Sequence, residues 1–241
     1  AEETLLTRRV LLAALAASGC VVSLRGPASA QSYPSGPIRI IVPFAAGSAT
    51  DTGARHIADG LSKKWGTPVV VENKPGANGA IAAQEVVRSK PDGYTIFVAS
   101  NTAIASNVAL FNKLPYDPVT QLEPVSSIGF APTFLIAHPS VPAKTLPELI
   151  AYAKANPGKI NFGSGSASTH MSGEMLKARA GIDIVHIPYR STPLALKDLM
   201  GGHIHIMFAD PVTSMPQVRS GTVNCLGVAT NERYKLTPDL P

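Results

Sequence analysis

The stretch at residues 38–61, IRIIVPFAAGSATDTGARHIADGL, constrains the fold more than any other. It opens with a β-branched run, Ile38-Arg39-Ile40-Ile41-Val42, which reads as a buried strand. A loop of small residues follows: Pro43, Phe44, Ala45, Ala46, Gly47, Ser48, Ala49 and Thr50. Asp51 then stands at an N-cap position, ahead of apolar residues at Ala54, Ile57, Ala58, Leu61 and Trp65. That spacing predicts a helix. Strand, small-residue loop and helix N-terminus form the physical recipe for an anion site. The first-turn amides have no intrahelical partner, and the helix dipole puts partial positive charge there. An ordinary strand–helix connection uses the same pattern, so both readings stand.

The rest of the chain repeats the alternation. Residues 68–72 read as a second strand, and Asn73-Lys74-Pro75-Gly76-Ala77-Asn78-Gly79 is turn chemistry. Residues 80–89 read as a short helix with Ile81, Val86 and Val87 inward, and residues 94–99 as a third strand. This order predicts a mainly parallel sheet. Ser100 and Asn101 then fall at the same sheet edge as the 43–51 loop, where ligands bind in open α/β sheets.

A second block follows. Strands are expected at residues 125–129 and 134–137, and Thr145-Leu146-Pro147-Glu148 is a capping box for a helix. Residues 160–162 read as a strand, and Gly163-Ser164-Gly165-Ser166-Ala167-Ser168-Thr169-His170 as another small-residue loop opening a helix through Met171, Met175 and Leu176. Further strands are expected at 184–189, 204–208 and 223–229, with helices at 194–200 and after Ala209-Asp210-Pro211. Two blocks, each with a small-residue loop after a strand, define a cleft if they face one another.

Composition narrows the function. The 241 residues are 45% hydrophobic and 15% charged, which describes a folded chain. The formal charge is +5, yet no Lys/Arg cluster with interleaved aromatics marks a nucleic-acid surface. The two cysteines are Cys20 and Cys225, and no paired Cys/His cluster points to a metal. Residues 1–30 read as a secretory signal peptide: Arg8-Arg9, an apolar stretch, then Ala28-Ser29-Ala30 ahead of Gln31. A twin-arginine route and a lipid-modified start at Cys20 are the alternatives weighed, with general secretion favoured.

The motifs VPFAAGSATD, VVVENKPGANG and KPDGYTIF, in that order, resemble the tripartite tricarboxylate transporter receptor family, the Bug-type periplasmic solute-binding proteins. The resemblance runs from about Ile38 to the last residue. It implies an α/β, two-domain periplasmic-binding-protein (type II-like) architecture with the ligand cleft between the domains. Residues 31–127 would form domain 1 and 128–228 domain 2. Residues 229–241 would begin a return to domain 1, with a further segment expected beyond them. The implied function is capture of a small carboxylate and its delivery to membrane transporter subunits, by a periplasmic monomer without cofactor, catalysis or nucleic acid.

The resemblance also implies site residues. Phe44, Ala45, Ala46, Gly47, Ser48, Thr50 and Asp51 fall on the family's first ligand loop, with Gly47-Ser48 where two glycines are usual. Ser164, Ser166, Ser168 and Thr169 fall on the second, which is about two residues shorter than the common form. Tyr189-Arg190-Ser191 resembles the third loop, so Arg190 is a candidate cation for the ligand. Ser100, Asn101 and Asp210 complete the set; Asp51 and Asp210 suit helix caps as well, and His170 is read as structural. A secreted Ser-dependent hydrolase is the alternative, but no G-x-S-x-G elbow is present. A dinucleotide enzyme lacks its G-x-G-x-x-G.

Overall fold

The computed structural model describes residues 32–241, so the signal-peptide reading lies outside the described residues. Two sheets carry the chain. In the first, β1 (Ile38–Val42) lies between β2 (Val69–Asn73) and β3 (Thr95–Phe97), and both neighbours run parallel to it. Its β-branched residues make the strand and also the core, since Ile38, Ile40 and Ile41 are fully buried. Helix α1 (Ala49–Trp65) covers one face through Ala54 and Ala58. Small side chains there let helix and sheet approach closely.

Helix α2 (Ala80–Arg88) corrects an expectation. Its buried face is Ala80, Ala82 and Ala83, while Ile81 is 51% exposed. Ala80 and Ala83 pack against Tyr116, and of the three residues expected inward Val87 joins that cluster. After β3 the backbone makes a π-helical turn, Thr102–Ser106, and runs into a short helix α3 (Asn107–Leu110).

The second sheet has the order β6-β5-β7-β4-β8: β4 (Phe134–Ala137), β5 (Asn161–Ser164), β6 (Val185–Pro188), β7 (Ile206–Ala209) and β8 (Asn224–Val228). β5 runs parallel to β6 and β7, whereas β4 is antiparallel to β7 and β8. Helices α4 (Leu146–Ala155), α5 (Ala167–Ala180), α6 (Thr192–Met200) and α7 (Pro211–Arg219) pack around it. Thr145 caps α4 as its sequence predicts, accepting the Glu148 amide at 3.3 Å. The strand expected at 125–129 is absent: Val125 and Phe130 are each 89% exposed and no partner strand lies beside them. Without a neighbour to satisfy its amides, a β-branched run stays irregular.

Both sheets belong to one compact unit, Gly36–Pro241. Residues 229–241 lie against the second sheet. Leu240 packs on its core, Tyr234 meets Phe134 edge-on at 6.3 Å, and the Val228 amide donates to Pro241 O at 3.0 Å.

The second core depends on one close approach. A Cβ on Gly173 in α5 would stand 2.1 Å from the ring of Phe162, a fully buried residue of β5. Gly173→Ala should therefore overpack the core and cost about 1–3 kcal/mol. Thermal unfolding should show a midpoint lower by roughly 2–12 °C; an unchanged midpoint would show that α5 shifts away freely.

Candidate functional site

The first loop leads from β1 into α1. Ser48, not Asp51, is the N-cap: its backbone is extended and its hydroxyl accepts the Asp51 amide at 3.2 Å. The expected cap residue sits one turn further in and is 2% exposed. There the Asp51 carboxylate accepts from the Gly47 amide at 2.9 Å, Asn73 Nδ2 at 2.8 Å and Arg55 Nε at 3.0 Å. Burial alone would raise its pKa, but the bonds from Arg55, Gly47 and Asn73 outweigh burial and hold it below the ordinary carboxylate range. The Gly47 amide, expected to face a ligand, is thus already engaged. The amides of Ala49 and Thr50 have no hydrogen-bond partner among the described residues. Ala46 is exposed, and the Ala45 carbonyl accepts the Ser48 amide in a tight turn.

The second loop is closed on itself. Ser166 caps α5 by accepting the Thr169 amide, and Thr169 Oγ1 accepts from the amides of Gly165 and Ser166 at 3.2 and 3.1 Å. Ser168 Oγ lies 3.0 Å from Ser166 Oγ. A Cβ on Gly165 would stand 2.1 Å from the Thr192 amide nitrogen, so the loop is pressed against the start of α6. Ser164 is buried and faces His186, with Oγ 2.7 Å from Nε2.

The open space lies elsewhere along the same strand ends. A cleft of about 250 Å³ is lined by Pro43, Phe44, the turn at residues 76–79, Gly165, Pro188, Tyr189 and Arg190. Of the expected site residues, Phe44 and Arg190 stand in its wall. Arg190 is exposed and has no ion-pair partner among the described residues. Tyr189 Oη donates to Asp198 at 2.7 Å, and burial together with that carboxylate pushes its pKa up to about 12. Tyr189 is therefore a neutral wall whose hydroxyl proton is committed.

Ser100 accepts the Thr102 amide at 3.3 Å, Asn101 is exposed at the start of the π-helical turn, and neither lines the cleft. Asp210 caps α7, accepting the Thr213 amide at 2.8 Å. Sequence reasoning passed over the turn at 76–79 as simple turn chemistry. Its position was legible: a Gly/Asn turn at the end of a parallel strand shares its edge with the first loop.

The turn is unusual. Gly76, Ala77, Asn78 and Gly79 have φ values of 131°, 45°, 51° and 84° in succession. Ala77 is held there at a cost of about 1–3 kcal/mol, the kind of strain that collects at ligand clamps, whereas Asn78 tolerates the conformation more readily.

These features define a class: an α/β binding protein whose ligand site gathers at the carboxyl ends of two sheets. Similarity to known proteins agrees. The family model "Tripartite tricarboxylate transporter family receptor" matches residues 53–241, and this chain belongs to that family. A curated relative from Bordetella pertussis, a protein of the UPF0065 group, is 41% identical over 215 residues, 88% of this chain and 66% of its own length. The chain thus spans about two thirds of that relative. Among solved structures, a Rhodopseudomonas palustris protein with adipate has a TM-score of 0.85 at 32% identity, over 87% of this chain and 71% of that one. MatC of the same organism, with bound malate, has a TM-score of 0.81 at 32% identity, over 87% and 72%.

The buried polar groups make two outcomes testable. Asp51→Ala removes the shared acceptor of the Gly47 amide, Asn73 Nδ2 and Arg55 Nε, and should cost about 1.5–3 kcal/mol in urea unfolding; a neutral result would mean that water replaces the carboxylate freely. The second concerns His186, which stacks on His170 with centroids 3.7 Å apart. Burial, then the charge of His170, push its pKa down, with Glu174 opposing. His205 is lowered likewise, by burial and then by His138. The fold thus keeps both rings neutral where the unfolded chain, with a pKa of about 6.5, takes up protons. Stability should be full above that value and decline below it. Urea midpoints at roughly pH 7.5 and 5 should differ, and the difference should shrink in His186→Gln; an identical pH dependence would exclude His186 as a source.

Proposed function

We propose that this chain is the ligand-binding part of a periplasmic receptor that captures a small mono- or dicarboxylate, without turnover, and hands it to membrane transporter subunits. We propose further that the two sheets anchor two lobes, divided near residues 127–128, that the exported chain begins at Gln31, and that it acts as a monomer.

The observation that carries the reading is the make-up of the cleft wall. Among the described residues lining it, Arg190 is the one charged side chain, and the rest are apolar or neutral. A helix N-terminus supplies roughly half a unit of positive charge, and the free amides of Ala49 and Thr50 lie at the start of α1, after the loop that follows Phe44 and outside the cleft wall itself. One guanidinium in an otherwise neutral wall suits one or two carboxylates better than three. The relatives solved with adipate and malate support the same ligand class. Asp51 and Asp210 are both engaged within the framework, so neither offers a counter-ion to an amino acid's ammonium group. The hydrolase alternative gains little from the Ser164–His186 contact. Ser164 is 4% exposed and lies outside the cleft wall, and no carboxylate bonds His186 among the described residues.

Calorimetry with malate, adipate, citrate and glutamate tests the reading. Malate or adipate should bind more tightly than citrate or glutamate. Gly47→Val forces a branched residue to φ +80°, tears the Gly47 amide from Asp51, and should weaken binding by about tenfold, or 1.4 kcal/mol. Arg190→Ala should cost less. Tightest binding of citrate, lost in Arg190→Ala and kept in Gly47→Val, would refute capture by neutral donors.

A further inference from the structure

Behind the cleft wall lies a buried polar cluster that the carboxylate reading leaves unused. Asn107, the first residue of α3, is fully buried. Its Nδ2 donates to Asn78 O at 3.0 Å and to Tyr116 Oη at 3.1 Å. Tyr116 is buried too, and its hydroxyl donates onward to the Ala103 carbonyl. The other end of the Asn107 carboxamide, Oδ1, has no partner among the described residues. A buried acceptor left unsatisfied costs free energy that an apolar side chain of the same shape avoids. Packing alone therefore disfavours asparagine here, and what the residue contributes is the pair of bonds from Nδ2.

One of those bonds falls on the strained turn. Gly76 and Gly79 accept positive φ without penalty and Asn78 at a modest one, but Ala77 does not. The turn is fixed at its far end by contact: a Cβ on Gly79 would stand 2.9 Å from Pro43 Cβ and 3.3 Å from Ala103 Cβ. It is fixed at its near end by the Lys74 amide, which donates to Val42 O at 2.8 Å. Between these points, the bond from Asn107 holds the carbonyl of Asn78 in its left-handed conformation. The same turn lines the cleft together with Tyr189 and Arg190.

We infer that Asn107 is a positioning residue for ligand capture: its carboxamide holds the strained turn at 76–79 in the shape that closes one side of the cleft. Tyr116 orients that carboxamide. The inference rests on the carboxylate-binding reading for its ligand, but not for its geometry.

The test uses the full chain. Asn107→Leu keeps the branch at Cγ and removes the donor and the orphaned acceptor together; its two methyls are bulkier than the carboxamide, so a fall in melting temperature measures the overpacking and is read separately from the turn. Hydrogen exchange at the amides of Gly79 and Ala80, which bond Gly76 O and Ala77 O, should quicken by about tenfold in the ligand-free protein. Affinity for malate or adipate, whichever the parent protein binds, should fall by about tenfold. In an Ala77→Gly background the turn needs less holding, so Asn107→Leu should cost about threefold or less there. A merely structural role predicts the same cost in both backgrounds. Asn107→Ala, which also removes the donor and adds no bulk, serves if the leucine variant fails to fold. Unchanged exchange at Gly79 and Ala80 overturns the inference whether or not either acid binds. Faster exchange with full affinity overturns the link to capture. Failure of the parent protein to bind either acid counts against the ligand reading alone, and the exchange result still decides the geometry.

Discussion

The site depends on one buried carboxylate. Asp51 is nearly inaccessible, yet stays ionised because three donors converge on it from three elements: the Gly47 amide in the first loop, Asn73 at the end of β2, and Arg55 one turn along α1. Asn73 also donates to the carbonyl of Phe44 at 3.0 Å. The carboxylate therefore fixes the first loop against the end of the neighbouring strand. That strand end leads directly into the strained turn. The first-loop wall of the cleft is thus set by a single charge-assisted network, the strong class of protein hydrogen bond.

Much of the polar chemistry near the cleft serves the protein itself. Ser48 and Ser166 cap helices, and Thr169 satisfies the loop amides behind it. This self-satisfaction keeps small-residue loops rigid without bulky side chains. Rigid, neutral loops bind an anion through oriented dipoles that need no reorganisation when the ligand arrives, and that is the advantage of helix-terminus sites. Arg190 differs, being exposed and without an ion-pair partner among the described residues, so its charge is available to the cleft.

The strained turn shows the reverse arrangement. Its conformation is not favoured locally at Ala77 and Asn78, and it persists because the surroundings over-determine it: Pro43 and Ala103 press on Gly79, and Asn107 holds Asn78. The element that supplies Asn107 follows a π-helical turn, a distortion often found beside functional sites.

The sequence by itself determined the elements and their order. The β-branched run at 38–42 and the 3.6-residue spacing after it express local rules of strand and helix, which act over a few residues and can be read from them. The loop positions at the carboxyl ends of the strands followed from the same order, as did the caps at Thr145 and Asp210. What only the tertiary structure decided depends on distant neighbours. Ser48 rather than Asp51 caps α1, because Asn73, 22 residues on, draws the carboxylate inward. Ile81 faces out because the face of α2 that meets Tyr116 is the one carrying Ala80, Ala83 and Val87. The run at 125–129 forms no strand, because no partner comes alongside to take its hydrogen bonds. The cleft wall at 76–79 was visible only as a turn, since nothing in the residues around it announces that a buried asparagine 29 positions away will hold it. Local preference is written residue by residue, whereas a strained or redirected group exists only where the rest of the fold supplies the force that holds it.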